Sequence, residues 1–457
     1  MLDLAIENVV FADPAGELSG VGAVGIAGGR IAALGRSVPA ARRVIDGRGL
    51  TLAPGFIDLH MHEDPLSGEG ASAVIGSEVA ACQARMGVTT SVGGNCGLGT
   101  GHTGTYLTQL ERQGSLVNYA TFVGYTALRH ELGIGDEYRP AAAGEVARLR
   151  EAARAALAAG AVGISFGIEY TPGAPTDELL ALARVATEFP ARLLAAHFRS
   201  DADRALPSIE EMIYLGRATG LPFQISHLGS CAAFGMMPAA LELIAAAAAR
   251  GERVLADCYP YAAFCTFIGA AGFDGDCLAR WGADYSAIQV AEGPYAGRRC
   301  DRALFAKLRR EAPETLVVAF VLRADEVLLA LKHPLVLVGS DTLLRGGQGH
   351  PRSAGTFPRV LGRFVRAGKM AFADALYKMT LGPARRLGLT DRGRLTEGAW
   401  ADLVLFDPAV LADRATFAEP ARAPEGIELV LVNGRAVVEK GRLTGARPGH
   451  ILRAPQQ

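Results

Sequence analysis

The pattern of apolar and polar positions changes twice along the chain. Residues 1–53 carry short β-prone runs broken by turns: LAIENVVFA, GAVGIAGGRIAALG and RRVIDGRGLTLAPG. Runs of this kind between Gly-rich turns predict a small antiparallel sheet. The C-terminal end has the same texture in GRLTEGAWADLVLFDP and IELVLVNGRAVVEKGRLTG, where Asn433-Gly434 is set for a hairpin turn. Two β-rich ends around a different middle predict one small β domain built from both, over 1–53 and 391–457. In the middle, eight short apolar runs alternate with helical spacing. They are GFIDLHMH (55–62), TTSVGGNCG (89–97), YATFVGYTAL (119–128), AVGISFGIEY (161–170), RLLAAHF (192–198), PFQISHLG (222–229), RVLADCYPY (253–261) and LVLVGSD (335–341). Stretches such as 143–160, 176–189 and 237–251 repeat apolar residues at helical intervals. That alternation predicts a parallel sheet covered by helices, and eight units fit an α/β fold of the (β/α)8 TIM-barrel type over residues 54–390. One irregularity stands out, an insertion at about 262–334 mixing Cys, Gly and aromatic residues, of the kind that forms binding loops or lids.

Composition narrows the classes without naming a function. The 457 residues carry a formal net charge of −1 with both signs interspersed, which argues against nucleic acid or an anionic membrane surface as partner. No basic n-region precedes an apolar stretch at the N-terminus, and the longest apolar run, 243–249, is far too short to span a bilayer. The expectation is a soluble cytoplasmic protein, with a homo-oligomer left open. Seven cysteines form no CxxC pair, and an odd count is a poor disulfide framework, so the thiols are read as structural or metal-bound.

Candidate chemistry clusters at one end of the expected barrel. His60 and His62 finish the first run, Cys96 the second, His197 the fifth, His227 the sixth and Asp341 the eighth. C-terminal strand ends converge on one face of a barrel, and residues i and i+2 of a strand point to the same side. A lone histidine is more often a hydrogen-bonded strand-end residue, and a lone Asp after Gly-Ser a turn residue. Six such groups at one end are hard to explain by caps and packing. Imidazole, thiolate and carboxylate together suit a divalent ion, zinc first.

APGFIDLHMH, the two later histidines, the Asp of GSD and GRLTEGAWADLVLFDP together resemble the amidohydrolase superfamily over nearly the whole chain. GGNCG, GISFGIEYTPG, HFRS, ISH and HPRSAGTFPRVL resemble more narrowly its N-acyl-D-amino-acid deacylase (D-aminoacylase) branch. The resemblance implies a β-sandwich for the two ends beside a metal-bearing barrel. It also implies zinc-dependent hydrolysis of a C–N amide bond in a small-molecule substrate, an N-acyl-D-amino acid or similar compound. Many relatives bridge two ions with a carboxylated lysine on the fourth strand. No lysine stands there in this chain, and Glu169 is either a minor ligand candidate or a structural residue. The branch uses a cysteine instead. By resemblance, Cys96, His197 and His227 hold one tight zinc, and His60, His62 and Asp341 surround a second, weaker divalent ion. Asp341 then acts as general base and acid for a metal-activated hydroxide, while Arg352, Tyr170, Tyr259 and Tyr261 contact the substrate carboxylate.

One departure matters. The branch commonly reads ISHxK, and this chain has Gly229 in place of that cation. Together with the apolar FCTFIGAAGFDGDC of the insertion, this points to a bulky or hydrophobic substrate part. Alternative readings are a cyclic-amide hydrolase of hydantoinase or dihydroorotase type, a small dipeptidase or amidase, and a catalytically silent scaffold.

Overall fold

A computed structural model gives the positions of residues 1–68 and 73–455. Eight parallel strands frame the middle of the chain: β1 (Phe56–Asp58), β2 (Val88–Gly93), β3 (Asn118–Thr121), β4 (Gly163–Gly167), β5 (Leu193–His197), β6 (Phe223–Ile225), β7 (Val254–Cys258) and β8 (Val336–Val338). They form two arcs, β1–β2–β3 and β4 through β8, the second extended at β4 by Val123–Gly124. A few hydrogen bonds pass between the arcs. Val162 N–H donates to Thr121 O at 2.8 Å, and Asp341 N–H to His60 O at 2.7 Å. Every residue of β4 and β5 is buried, which is why these strands read as continuous apolar runs rather than alternating ones. Leu59, Val92, Ala120, Leu193, Ala195 and Leu337 make one buried cluster among the strands.

The outer helices follow the expected periodicity. Met237–Ala249 buries Met237, Ala240, Leu241, Ile244 and Ala247, one face at helical spacing. Pro238 sits in its first turn, where no N–H donor is needed. The third apolar run divides, its YTAL opening the helix Tyr125–Glu131, because Gly124 ends the extended stretch.

Both chain ends meet in one nine-stranded sheet. Leu2–Phe11 pairs antiparallel with Val21–Ala27 but parallel with Ala41–Asp46 and then Thr51–Pro54. The sheet is therefore mixed, where the turns alone predicted an antiparallel one. The register shift between Ile6 and Val9, with Asn8 at φ 60°, accompanies the change of parallel partner along one long strand. Thr51–Pro54 then pairs antiparallel with Leu403–Phe406, joining the two ends. Asn433 and Gly434 both take positive φ in the turn between Ile427–Val432 and Arg435–Glu439, as the hairpin reading required.

The insertion folds as its own three-stranded antiparallel sheet, Phe264–Phe267, Leu316–Ala319 and Ile288–Val290, with Arg302–Glu311 packed on it. All seven cysteines are free and buried. Among the described residues, no helix is long and apolar enough to cross a membrane.

Candidate metal centre

The six residues singled out in the sequence come together beyond the C-terminal ends of the strands, all of them buried. Only His197 lies on a strand. His60 and His62 follow the end of β1 by two and four residues, and Cys96, His227 and Asp341 stand two or three past β2, β6 and β8. Cys96, His227 and Asp341 take left-handed backbone, at φ 56°, 33° and 51°. Each costs on the order of 1–3 kcal/mol outside glycine, and each turns its side chain inward where a continued strand would alternate it. Local bonds hold these turns. Asn95 Nδ2 donates to Leu59 O and Val92 O before Cys96, and Asp257 Oδ1 accepts His227 N–H at 2.7 Å.

Glycines around Cys96 leave space for backbone. A Cβ on Gly94 would meet Phe122 O at 2.3 Å, and one on Gly97 would meet Gly167 N at 2.3 Å. The Gly-rich loop is thus pressed between neighbouring strand ends, and Gly97 N–H is held by Ser165 Oγ at 3.0 Å.

Hydrogen bonds fix which ring nitrogens face inward. His60 Nδ1 is 2.9 Å from Asp257 Oδ1, and a carboxylate only accepts, so Nδ1 carries a proton and Nε2 is the ring nitrogen that faces Cys96 Sγ at 3.2 Å. Ser230 Oγ donates to His227 O and therefore accepts from His227 Nδ1–H at 2.7 Å. Glu169 Oε2 takes the Nε2–H of His197 at 3.0 Å. This leaves His227 Nε2 and His197 Nδ1 as bare nitrogens 2.9 Å apart, with Cys96 Sγ 3.4 Å from the first. Two lone pairs cannot face each other bare at that distance beside a sulfur, so either a proton held between the nitrogens or a metal ion lies there. On the other side, His62 Nε2 and His60 Nε2 lie 3.0 and 3.4 Å from Asp341 Oδ1. Two donor groups result, His60, His62, Cys96 and Asp341, and Cys96, His197 and His227, each with its atoms within 4.8 Å of one another. Cys96 belongs to both. Nitrogen, sulfur and carboxylate donors in a buried cluster, with outer partners holding the rings, fit zinc.

The whole chain can be matched to known proteins. A family model described as "Amidohydrolase family" matches residues 232–438. An N-acyl-D-glutamate deacylase of Alcaligenes xylosoxydans xylosoxydans is 37% identical, over 99% of this chain and 96% of that one. The chain belongs to the N-acyl-D-amino-acid deacylase family of amidohydrolases. A solved D-aminoacylase described as having a binuclear metal centre superposes with a TM-score of 0.88 at 30% identity, covering 99% of this chain and 100% of that one. An N-acyl-D-glutamate deacylase from Bordetella bronchiseptica, solved with zinc and a phosphonate inhibitor that mimics a tetrahedral intermediate, gives a TM-score of 0.87 at 35% identity, with the same coverage. The family fold is thus the fold of this chain.

A cavity opens onto the donor cluster of this amidohydrolase. Arg352, Tyr170 and Tyr259 line it; Tyr261 does not. The Tyr261 hydroxyl lies 3.3 Å from Pro351 O, with its ring edge-on to His350 at 5.2 Å. Arg352 is buried at the start of the helix Arg352–Arg359 and grips Asp341 twice, Nη2 on Oδ2 at 2.9 Å and Nε on the backbone oxygen at 2.7 Å. Its Nη1 is buried with no partner, as is the Tyr259 hydroxyl. Gly229, in the five-residue helix Leu228–Ala232, is not among the lining residues.

Charge in the metal-free cluster follows from the geometry. Burial pushes the Cys96 thiol up, but His60 and His227 outweigh it and hold the thiol well below its ordinary value. Burial also opposes ionisation of Asp341, and Arg352 and His60 overcome it, keeping the carboxyl well below the usual range. Burial lowers His62 and His197, yet hydrogen bonds to Asp341 and Cys96 for the first, and to Cys96 and Glu169 for the second, raise both to about 9.

Several residues escaped the sequence reading. Asp257 serves His60 and His227 at once and receives Gln224 Nε2 at 3.0 Å. It lies in β7, within VLADCYPY, and a carboxylate near a strand end was the signal that could have found it. Ser230 and Trp281 had no such signal, whereas Phe264, Phe267 and Phe273 belong to the apolar FCTFIGAAGFDGDC stretch that the sequence already links to a hydrophobic substrate part.

Proposed function

We propose that this chain is a zinc-dependent deacylase that hydrolyses the amide C–N bond of an N-acyl-D-amino acid or a closely similar compound. The observation that carries the reading is the convergence of Cys96, four histidines and Asp341 in a donor cluster beneath a cavity whose wall also holds Arg352. The relatives named as N-acyl-D-glutamate deacylase and D-aminoacylase supply the bond and the handedness of the substrate. In this reading Cys96, His197 and His227 hold one zinc, and His60, His62 and Asp341 surround a second divalent position. Bound zinc supplies Lewis-acid polarisation of the scissile carbonyl and brings water within reach of deprotonation at neutral pH.

The chain's own groups do the rest. Asp341 Oδ2 is fixed by Arg352, which leaves Oδ1, beside His60 and His62, to take a proton from the attacking water and pass it to the departing nitrogen. Arg352 Nη1, buried and unpartnered, offers a charge-assisted hydrogen bond to the substrate carboxylate. Tyr259 and Tyr170 stand beside it in the wall. Asp257, Ser230 and Glu169 orient the three rings and pin their protons on the outer nitrogens.

The reading extends to architecture. The two arcs close as one (β/α)8 barrel over 54–390, and the nine-stranded sheet folds as a small β-sandwich domain from 1–53 and 391–457. The bonds from Val162 to Thr121 and from Asp341 to His60 support closure, and a separate apolar cluster around Ile6, Val24, Leu403 and Leu429 supports the second domain.

The test is an assay of zinc-loaded protein on paired N-acetyl-D- and N-acetyl-L-amino acids, with Asp341→Asn beside it. The D-series is expected to turn over. The variant is expected to keep its zinc and lose on the order of 10²-fold or more in kcat. Wild-type turnover in a zinc-replete variant removes Asp341 from the reaction, and no amide hydrolysis in either series removes the deacylase reading.

A further inference from the structure

The cavity wall discriminates among side chains. The insertion turns Phe264, Phe267, Phe273 and Trp281 toward the donor cluster. Phe264 and Phe273 each meet Trp281 edge to face, at 5.4 and 5.5 Å between ring centres. The indole is anchored by Trp281 Nε1–H donating to Asp201 Oδ2 at 2.6 Å. Three rings locked against one another make a firm apolar surface with aromatic edges and faces.

Positive charge near this wall is scarce and already engaged. Among the described residues lining the cavity, Arg352 is the one guanidinium, and only its Nη1 is free. Arg280, behind Trp281, is held by Asp201 at 3.2 Å and Asp276 at 2.6 Å. Arg345, at the outer mouth, lies over the Phe267 ring and donates to Glu314 O at 2.9 Å, with Glu292 at 3.4 Å. Besides Asp341, which Arg352 already grips, two further carboxylates, Glu169 and Asp201, line the same space. One substrate carboxylate therefore finds a partner. A second would be stripped of water against ring faces and set near like charge.

We propose that the substrate carries a single carboxylate, taken by Arg352, and an uncharged apolar side chain, aromatic or branched aliphatic, seated against Phe264, Phe273 and Trp281. Acidic side chains are rejected. The inference rests on the deacylase reading and parts this chain from the relative, 37% identical, that is named for N-acyl-D-glutamate.

The experiment compares kcat/KM of zinc-loaded wild-type protein on N-acetyl-D-phenylalanine and N-acetyl-D-leucine with that on N-acetyl-D-glutamate and N-acetyl-D-aspartate. Dissociation constants of the matching D-phenylalanine and D-glutamate phosphonate analogues give a readout independent of turnover. The apolar pair is expected to win by about 10²-fold or more, and the D-phenylalanine analogue to bind tighter. Phe264→Arg, which puts a cation into the wall, is expected to narrow the ratio at least about tenfold by lowering KM for the acidic substrates. Equal or better use of the acidic substrates, tighter binding of the D-glutamate analogue, or an unchanged ratio in folded Phe264→Arg overturns the inference. Hydrolysis of none of the four, with the D-phenylalanine analogue still bound more tightly, overturns the reaction and leaves the side-chain assignment standing. The wild-type comparison holds if the arginine variant fails to fold.

Discussion

Cys96 shows what a single side chain does at this site. Its sulfur is the one atom common to both donor groups, and β4, Gly163–Gly167, offers no lysine beside it. His60, His62 and His197 are basic when no metal is present, because each faces the thiolate or a carboxylate across a few ångströms. With His62 and His197 at about 9, both rings are protonated at neutral pH in the metal-free protein. Zinc must displace those protons, so it binds more weakly as pH falls below that value. Apparent zinc affinity is expected to drop about tenfold per pH unit for each proton displaced between pH about 8 and about 6. Competition against a chelator, with released protons counted in weakly buffered solution, measures it. A pH-independent affinity would mean that the rings are already neutral.

At the scale of elements, short turns beyond the strands do more than the strands themselves. The loop after β2 reaches the centre because Gly94 and Gly97 have no side chain where neighbouring backbone passes. Gly97 is held at φ 69° with Gly167 N in the place of a Cβ. Gly97→Ala adds both a left-handed penalty and a clash that cannot be relieved by a rotamer. The variant is expected to lose about 3 kcal/mol of stability together with zinc content, read from the denaturation midpoint and metal analysis of the purified protein. An unchanged midpoint would show that the loop can back away from β4. The insertion works differently, since it brings no ligand and supplies the apolar wall.

Across the whole molecule, a buried polar network ties the terminal sheet to the parallel strands. Arg392 and Asp402 pair within it, 3% and 2% exposed at the side chain. Asp402 also receives Asn433 N–H at 2.7 Å and Asn118 Nδ2 at 2.9 Å, which connects β3 to the hairpin near the C-terminal end. Removing one member leaves the others unpaired in a place water cannot reach. Asp402→Ala is expected to cost about 3–5 kcal/mol, because Arg392 keeps a charge with no counter-ion, whereas the double change Asp402→Ala with Arg392→Met should recover part of it. Denaturant midpoints of the two variants decide this. A loss under about 1 kcal/mol would show the network to be dispensable.

The sequence by itself determined the kind of elements, their order and the set of side chains that gather in the candidate metal centre. Strand and helix periodicity depend on near neighbours, and residues such as His60, His62 and His197 reveal themselves by standing at the ends of apolar runs. It did not reveal the parallel pairing of Leu2–Phe11, because a turn reports only the strands it joins. Nor did it reveal that Cys96, His227 and Asp341 leave extended geometry, since positive φ at a residue with a Cβ is imposed by its surroundings. Only tertiary structure decided the rest. It turned Tyr261 away from the cavity, locked Arg352 onto Asp341, and set Asp257 between two histidines from distant parts of the chain. These are contacts between residues far apart in sequence, where distance and orientation come from the packing of whole elements.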